Sequence, residues 1–501
     1  MAGQRSARPP PVLRVNRRLW LPTAPPRGDA CQSVANAVME NLACQCADTR
    51  IRSHVTSWMG LVRDYRRIRA VECATSPVVA RCSETAPDAL QRQIVMNESG
   101  HAYDAGRRDR GTARALPRGF VAFCAQFAPR FPRVEPRRRM SSYVYGLLGG
   151  AGRKNGWTQA EAAGEAGPEG MQRLLNAASW DEDGVRDDTR EVVVQAIGDV
   201  WQGRLIVGDL CFRKRGSRSA GAAPRVLEET GRTENAQTGI FLAYASEAGV
   251  GLIDRELYLP REWTDHRDRC RAAGIDDSVK YESPEELARV MIDRALDAGV
   301  PFVWVTAGVT YGRSEHLRRS LEERGVPHII EVPGDCRVTT ANLQVRNVDT
   351  VIGELSETVW HRLSHGDSAT GHRVRDWAAV DLHRSGQRHG SWLLAGRSIT
   401  DPSDITYHLC FGPVGSILSE LARTADGHRA VEGCLRAARR KSGLADYQVR
   451  GYRAWYRHVT LSMVAAAYLS MLEARTTDRD SGEVSHVRPV RSRPNAVAPW
   501  W

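Results

Sequence analysis

The sequence predicts an α+β fold: a mixed β-sheet with flanking helices, a β-rich insertion and a helical N-terminal region. Three observations support this prediction. The chain has 501 residues, and since a single core rarely grows past about 250–300 residues, several domains are expected. Strand-like and helix-like apolar patterns follow one another between residues 205 and 332. Helical spacing dominates in residues 119–200 and 426–474.

The N-terminal part contains two regions. Residues 1–118 combine short helical patterns with proline- and arginine-rich stretches, and we predict an N-terminal extension that is partly disordered. Residues 119–200 are helical in pattern. Within them, residues 157–164 and 169–178 form two short helical patterns separated by a break at Pro168. This arrangement is typical of a helix-turn-helix unit.

The second of these helices carries the side chains that we interpret as DNA-binding. Gln172, Arg173 and Asn176 are of the residue types that meet base edges or phosphates. An ordinary helical hairpin with a polar face would show the same pattern, and the spacing alone does not separate the two interpretations.

Residues 201–334 predict the first part of the core. Its elements in chain order are a strand at 205–207, strands at 239–244 and 251–258 joined as an antiparallel hairpin, a helix at 284–298, a strand at 302–306, a helix at 314–324 and a strand at 328–332. Three strands, a helix, a strand, a helix and a final strand form the order of a ribonuclease-H-like sheet, which starts antiparallel and finishes parallel.

The rest of the chain interrupts this core and then completes it. Residues 335–425 predict a β-rich insertion, with strand patterns at 392–395 and 407–411. Residues 426–474 return to helical spacing, and we predict that they form the C-terminal helical part of the core. Residues 475–501 are polar without a helical or strand period, which predicts a disordered tail.

The charge points to a polyanionic partner. The formal net charge is +11, and almost all of the positive charge is arginine, because lysine occurs only at positions 154, 214, 280 and 441. Arginine binds phosphate through two parallel hydrogen bonds and stays charged. Nucleic acid is the commonest partner of such a chain, although a merely basic enzyme would have the same charge.

The cysteines and the apolar stretches predict a cytoplasmic location. The 11 cysteines are odd in number and lack paired metal-binding spacing, so we interpret them as reduced thiols rather than zinc ligands. The longest apolar stretch near the C-terminus, residues 463–472, is shorter than the ~20 residues that span a bilayer. No membrane partner is expected.

Several ordered motifs carry a resemblance to a known family. They are RKNGW at 153–157, QRLLN at 172–176, FRKRGSRSAG at 212–221, GRTENAQ at 231–237, LAYA at 242–245, DRELYLPREW at 254–263, RDRCRAAG at 267–274 and WYRH at 455–458. Together they closely resemble the DDE-type transposases of bacterial insertion sequences, in the subgroup common in GC-rich genomes. The resemblance runs from about residue 120 to about residue 472.

The resemblance implies a two-metal site for phosphodiester transfer. Two Mg²⁺ ions would activate the attacking oxygen and stabilise the leaving one, and carboxylates would hold them. In this family one Asp ends the first strand, a second Asp ends the fourth strand, and a Glu comes from a late helix. Counting along the motifs places Gly208 and Gly308 at the two Asp positions. The carboxylate triad is therefore degraded.

Two carboxylates remain as candidate catalytic and metal-binding residues. Asp209 follows Gly208, and it could serve if the strand were rearranged by one residue, because a one-residue slip turns a side chain to the opposite face. Glu432, in the motif RAVEGC at 429–434, matches the family's Glu. The alternatives are a surface turn residue for Asp209 and a solvated helix acid for Glu432. Asp254 is expected to form a salt bridge with a nearby arginine.

Basic residues around these positions are candidate DNA contacts. They are Arg213, Lys214, Arg215 and Arg218 beside the first strand, and Arg429 and Arg439 on the late helix. His428 and His458 are expected to be structural or to contact phosphate rather than metal.

Three functional hypotheses follow from the sequence. The resemblance implies cut-and-paste transposition with double-stranded DNA of the element ends as partner, in the cytoplasm at the nucleoid, and it allows a homodimer on the DNA. With a degraded triad, catalysis is expected to be impaired even where Mg²⁺ is supplied. The alternative is a non-catalytic DNA-binding regulator derived from a transposase. A basic structural protein unrelated to the family is the third hypothesis, which the long run of motifs disfavours.

Overall fold

The computed structural model describes residues 116–149, 154–227, 230–365, 373–383 and 389–480. All of them belong to one compact unit, Val95–Trp501. The predictions made for residues 1–115 and 481–501 lie outside the described residues. Within the described part of the chain, no helix is both long and apolar enough to cross a membrane.

Fourteen helices are found among the described residues. In chain order they are α1 Arg118–Ala125, α2 Val134–Leu148, α3 Gly156–Ala162, α4 Glu169–Asn176, α5 Glu182–Ile197, α6 Arg261–Thr264, α7 Arg267–Ala272, α8 Pro284–Asp297, α9 Val309–Gly312, α10 Glu315–Glu323, α11 Val348–Gly353, α12 Leu418–Asp426, α13 Ala430–Lys441 and α14 Tyr452–Asp480. A 3₁₀ turn at Gly427–Arg429 leads into α13.

The described strands number twelve. They are β1 Arg204–Arg213, β2 Ala223–Val226, β3 Thr233–Ser246, β4 Gly249–Tyr258, β5 Trp304–Ala307, β6 His328–Val332, β7 Arg337–Thr339, β8 Val345–Asn347, β9 His361–His365, β10 Arg373–Asp381, β11 His389–Ser398 and β12 Ile405–Pro413.

The central sheet has the predicted ribonuclease-H-like order. β4 pairs with β3 and β3 with β1, both antiparallel, whereas β1, β5 and β6 run parallel to one another. β12, β11, β10 and β9 continue the same sheet beyond β6, all antiparallel. The predicted α+β class and its antiparallel start and parallel finish are confirmed. Whether residues 335–425 form a domain of their own stays a prediction.

Helices cover both faces of β1, which explains why its first half is a continuous apolar run. Successive residues of a strand point to opposite faces. Leu205 and Val207 pack in a core that includes Leu287 of α8 and Leu317 of α10. Ile206 packs on the other face, in a core that includes side chains of α13. This alternation decides which residues at the end of β1 face which helix.

Two predicted boundaries are corrected by the structure. The first strand was predicted at residues 205–207, but β1 extends to Arg213 because β3 pairs with it along its whole length and so satisfies the backbone of its more polar half. The tail was predicted to lack regular structure from residue 475, but α14 continues to Asp480. Thr476 Oγ1 donates to the Glu473 carbonyl at 2.7 Å within this last part.

The prediction for Asp254 is confirmed. This residue on β4 is 1% exposed, and its carboxylate oxygens lie 2.9 Å from Arg294 Nε and 3.6 Å from Arg186 Nη1. A buried carboxylate with two guanidinium partners is a structural ion pair. It takes no part in the candidate site.

Candidate functional site

The two glycines that the sequence singles out lie side by side. Val207 pairs with Ala307 in the parallel register of β1 and β5, so Gly208 and Gly308 follow next to each other at the carboxyl ends of these strands. Gly308 is also the residue that precedes α9. The carboxyl edge of parallel strands is where this kind of sheet places its chemistry. The structure thus brings together the two positions at which the family resemblance expects aspartates.

Neighbouring side chains fill the space in front of both glycines. A Cβ atom on Gly208 would lie 2.8 Å from Val431 Cγ2 and 3.0 Å from Val431 Cγ1, and one on Gly308 would lie 3.0 Å from His428 Nε2. Both positions therefore face the start of α13, as a site completed by a late helix requires. Because real Cβ contacts are longer than 3.0 Å, an aspartate at either position would need its neighbour to move.

Asp209 lies on the opposite face of the sheet from Gly208. The pairing of β1 with β3 is continuous from Arg204 to Arg213, so the rearrangement by one residue that Asp209 would need does not occur. Asp209 is exposed, and its Oδ1 accepts a hydrogen bond from Tyr311 Oη at 3.4 Å. Burial, together with this carboxylate, raises the pKa of Tyr311 well above its usual value.

Glu432 lies on α13, on the same side of the sheet as the glycines, and its negative charge contributes to the raised pKa of Glu331. It directly follows Val431, whose side chain contacts the Gly208 position, and its own side chain is 58% exposed, with Oε2 3.5 Å from Arg436 Nη1. Glu432 is on the α13 side of the sheet and Asp209 on the other side. The role of Asp209 and Glu432 as metal ligands stays a prediction.

A third carboxylate, which the sequence analysis missed, lies beside the glycines. Ile330 pairs with Ala307, and continuing this register places Glu331 next to Gly308. On its other side Glu331 pairs with His408 of β12. Burial raises the pKa of Glu331, while the nearby guanidinium of Arg429 opposes this shift. An acid inside the predicted strand at 328–332 was the available signal, but which strand lay beside Gly308 was needed to interpret it.

Two histidines near Gly308 and Glu331 remain neutral. Burial lowers the pKa of His428 to about 4, and the positive charge of Arg429 adds to the effect. Burial also lowers the pKa of His408 to about 3, with further contributions from His428 and Arg375. The Nδ1 atoms of both histidines are buried without a hydrogen-bond partner among the described residues. At neutral pH these rings therefore occupy space without adding charge.

The predicted DNA-binding side chains of α4 point outward. Gln172, Arg173 and Asn176 are exposed, whereas Met171 and Leu174 are buried in the core. Asn176 Nδ2 donates to the Gln172 carbonyl at 2.8 Å. The helix therefore presents these three side chains on one free face, as a helix that enters a groove would have to do.

The predicted basic residues beside β1 are not equivalent. Arg215 and Arg218 are exposed, and Arg213 forms an ion pair with Glu234. Lys214 is half-buried, with Nζ 3.5 Å from the centre of the Tyr447 ring, and burial lowers its pKa to about 7. On the late helix side, Arg429 is exposed and Arg439 is half-buried. Arg215, Arg218 and Arg429 are thus the freest cations of this set.

The sequence comparison gives a family match. Residues 126–350 match the family described as DDE superfamily endonuclease. This part of the chain is similar to the DDE superfamily of endonucleases. The match covers the helices α2 to α10 and the strands β1 to β8, so it includes both glycine positions. All the motifs that resembled DDE-type transposases lie within this match, except the one at residues 455–458.

Similarity to other known proteins is weak. The piggyBac transposase synaptic complex with hairpin DNA aligns over 77% of this chain and 71% of that chain, with 10% identity and a TM-score of 0.36. The NurA nuclease from Sulfolobus solfataricus aligns over 56% of this chain and 81% of that chain, with 8% identity and a TM-score of 0.23. No curated protein sequence matches. Superpositions this loose carry no argument about function.

The residues at this edge do not fit the divalent-metal site of DDE-superfamily endonucleases. DDE endonucleases use divalent metal ions, which need several carboxylate ligands. Among the described residues, the edge beside Gly208 and Gly308 offers Glu331, whose pKa is raised by burial and by the carboxylate of Glu432 and lowered by the nearby guanidinium of Arg429. Across the described ranges, no group of three or more His, Cys, Asp or Glu side chains could hold a metal ion.

Proposed function

We propose that this chain binds duplex DNA as a member of the DDE superfamily that has lost its metal-dependent strand-transfer chemistry. The observation that carries the proposal is the pair of adjacent glycines at the ends of β1 and β5, faced by Val431 and His428. Two metal ions must be held on both sides of the reacting phosphate. A site that keeps neither aspartate holds them poorly.

The DNA-binding part of the proposal rests on charge and exposure. The net charge is +11, α4 presents Gln172 and Arg173 to solvent, and Arg215 and Arg218 are exposed on the loop after β1. Guanidinium groups attract phosphates, and amide groups read base edges. The partner we propose is double-stranded DNA from the element ends, bound without membrane association, with a homodimer as the assembly on two ends.

A binding assay tests this function. Fluorescence anisotropy with duplex DNA should show an affinity that falls steeply with salt. For each phosphate contact, log K should drop by about 0.9 for every tenfold rise in salt concentration. The variant Arg215→Ala/Arg218→Ala should lower this slope by up to about 2, since each lost cation releases one counterion fewer. The matched control is Arg436→Ala, because this exposed arginine is held beside Glu432.

Two kinds of result in this assay would count against the proposed DNA binding or its proposed contacts. If the wild-type protein does not bind duplex DNA at low salt, or binds with an affinity that does not change between low and moderate salt, DNA is not its partner. An unchanged slope in the double variant, with binding intact, would instead show that the loop after β1 does not contact the DNA.

A further inference from the structure

One large apolar side chain on the helical region is left uncovered by the fold. Trp157, in the first turn of α3, is 66% exposed, while the tryptophans Trp180, Trp263 and Trp455 are at most 3% exposed. Trp and Arg are the residues that most often carry the binding free energy of an interface. An indole left in water by the fold gains free energy only when a partner covers it.

The backbone of Trp157 is fixed in place. Its N–H and that of Thr158 donate to Asn155 Oδ1 at 2.9 Å and 3.1 Å, and Thr158 Oγ1 accepts from the Asn155 N–H at 3.0 Å. This reciprocal capping satisfies the start of α3. A rigid backbone lowers the entropy that the side chain loses when a partner orders it.

Trp157 also adjoins the face of α4 that points to solvent. A Cβ atom on Gly156 would lie 3.7 Å from Gln172 Cγ and 3.9 Å from Pro168 Cβ, so the start of α3 packs against the start of α4. Gln172, Arg173 and Asn176 are exposed there. The exposed indole of Trp157 therefore directly follows a residue that contacts Gln172, on the helix next to the exposed side chains of α4.

This combination fits duplex DNA. Amides pair with base edges, guanidinium with guanine or phosphate, and an apolar ring with thymine methyl groups. We propose that Trp157 is a DNA contact, with its indole covering the apolar surface of a deoxyribose or a thymine methyl beside the groove that α4 enters. The inference rests on the proposed DNA binding and adds an apolar contact to it.

The salt dependence of binding separates an apolar contact from an ionic one. Trp157→Ala should weaken duplex binding by about tenfold at every salt concentration, with an unchanged slope of log K against log salt, because no counterion is released by an indole. Trp157→Phe should recover part of the affinity. Arg218→Ala should instead change the slope. Trp201→Ala is the matched control, since Trp201 is 83% exposed in the loop between α5 and β1. This variant should bind DNA as the wild type does.

Fluorescence gives a second readout. The chain contains 13 tryptophans, so the DNA-induced quenching due to Trp157 is the difference between the wild type and Trp157→Phe. We expect this difference to be a measurable loss of quenching, with equal melting temperatures for the two proteins.

Three results would overturn the inference while leaving DNA binding intact. The first is wild-type affinity in Trp157→Ala, the second is equal quenching in Trp157→Phe, and the third is a change in oligomeric state on Trp157→Ala, which would assign the indole to a protein interface. Absence of any duplex binding by the wild type would instead remove the proposed function itself.

Discussion

The side chain of Val431 occupies the space that a side chain at position 208 would need. This contact can be tested residue by residue. A Cβ on Gly208 would lie 2.8 Å from Val431 Cγ2. Gly208→Ala should therefore destabilise the protein by about 1–3 kcal/mol through overpacking. In the double variant Gly208→Ala/Val431→Ala the clash disappears, so the loss should be smaller than the sum of the two single losses, by about 0.5–3 kcal/mol.

Gly433 provides the matched control for this double-mutant cycle. Gly433 lies on α13 like Val431, and a Cβ on Gly433 would meet nothing within 4 Å. Gly433→Ala should stabilise the protein by about 0.4–1 kcal/mol, since alanine has the better helix propensity. Urea unfolding measures all four variants. Strict additivity of Gly208→Ala and Val431→Ala would show that the two side chains do not share this space.

At the scale of elements, a buried arginine ties the proposed DNA-binding helix to the core. Arg457 of α14 donates to the carbonyls of Leu175 and Ala178 at 3.2 Å and 2.5 Å, at the C-terminal end of α4. Its side chain is 2% exposed, and its Nε lies 3.5 Å from Glu182 Oε2. A cation at a helix C-terminus also stabilises the helix dipole. The orientation of α4 against the sheet therefore depends on this residue.

Replacing this arginine should be costly. Arg457→Met keeps most of the volume but removes the partner of two carbonyls and of Glu182, so we expect a loss on the order of 3 kcal/mol in the free energy of unfolding. Arg436→Ala, which breaks an exposed pair, should change it by no more than about 0.5 kcal/mol. A loss below 1 kcal/mol for Arg457→Met in a urea titration would contradict this anchoring role.

The elements also show how far the sequence could be interpreted. Short apolar strands were located well: β6 was predicted at residues 328–332 and is found there. Strands with many charged residues, such as β9 and β10, had no apolar period and were not predicted. β1 was predicted too short because its second half is held by pairing with β3, which no local pattern records.

The candidate site was predictable only where positions could be counted from a family motif along the chain. The resemblance placed Gly208 and Gly308 correctly as neighbours on adjacent strands. It did not reveal that Val431 and His428 fill the space before them, because such contacts join parts of the chain far apart in sequence. The same reason explains why Glu331 was missed.

For the whole molecule, we propose a basic DNA-binding surface and a sheet edge at which neither expected aspartate is present. The exposed face of α4 and the loop after β1 carry the proposed DNA contacts. The edge at Gly208 and Gly308 lies in the same compact unit. On this proposal the protein binds DNA without cleaving it.

Nicking of supercoiled plasmid DNA in Mn²⁺ or Mg²⁺, under conditions in which binding is verified, tests this claim most directly. We predict no nicking above the rate in EDTA, for the wild type and also for Gly308→Asp, because a partial set of carboxylates holds two metals poorly and His428 lies where the new side chain would go. Metal-dependent nicking by the wild-type protein that is abolished by Asp209→Ala or Glu432→Gln would contradict the account.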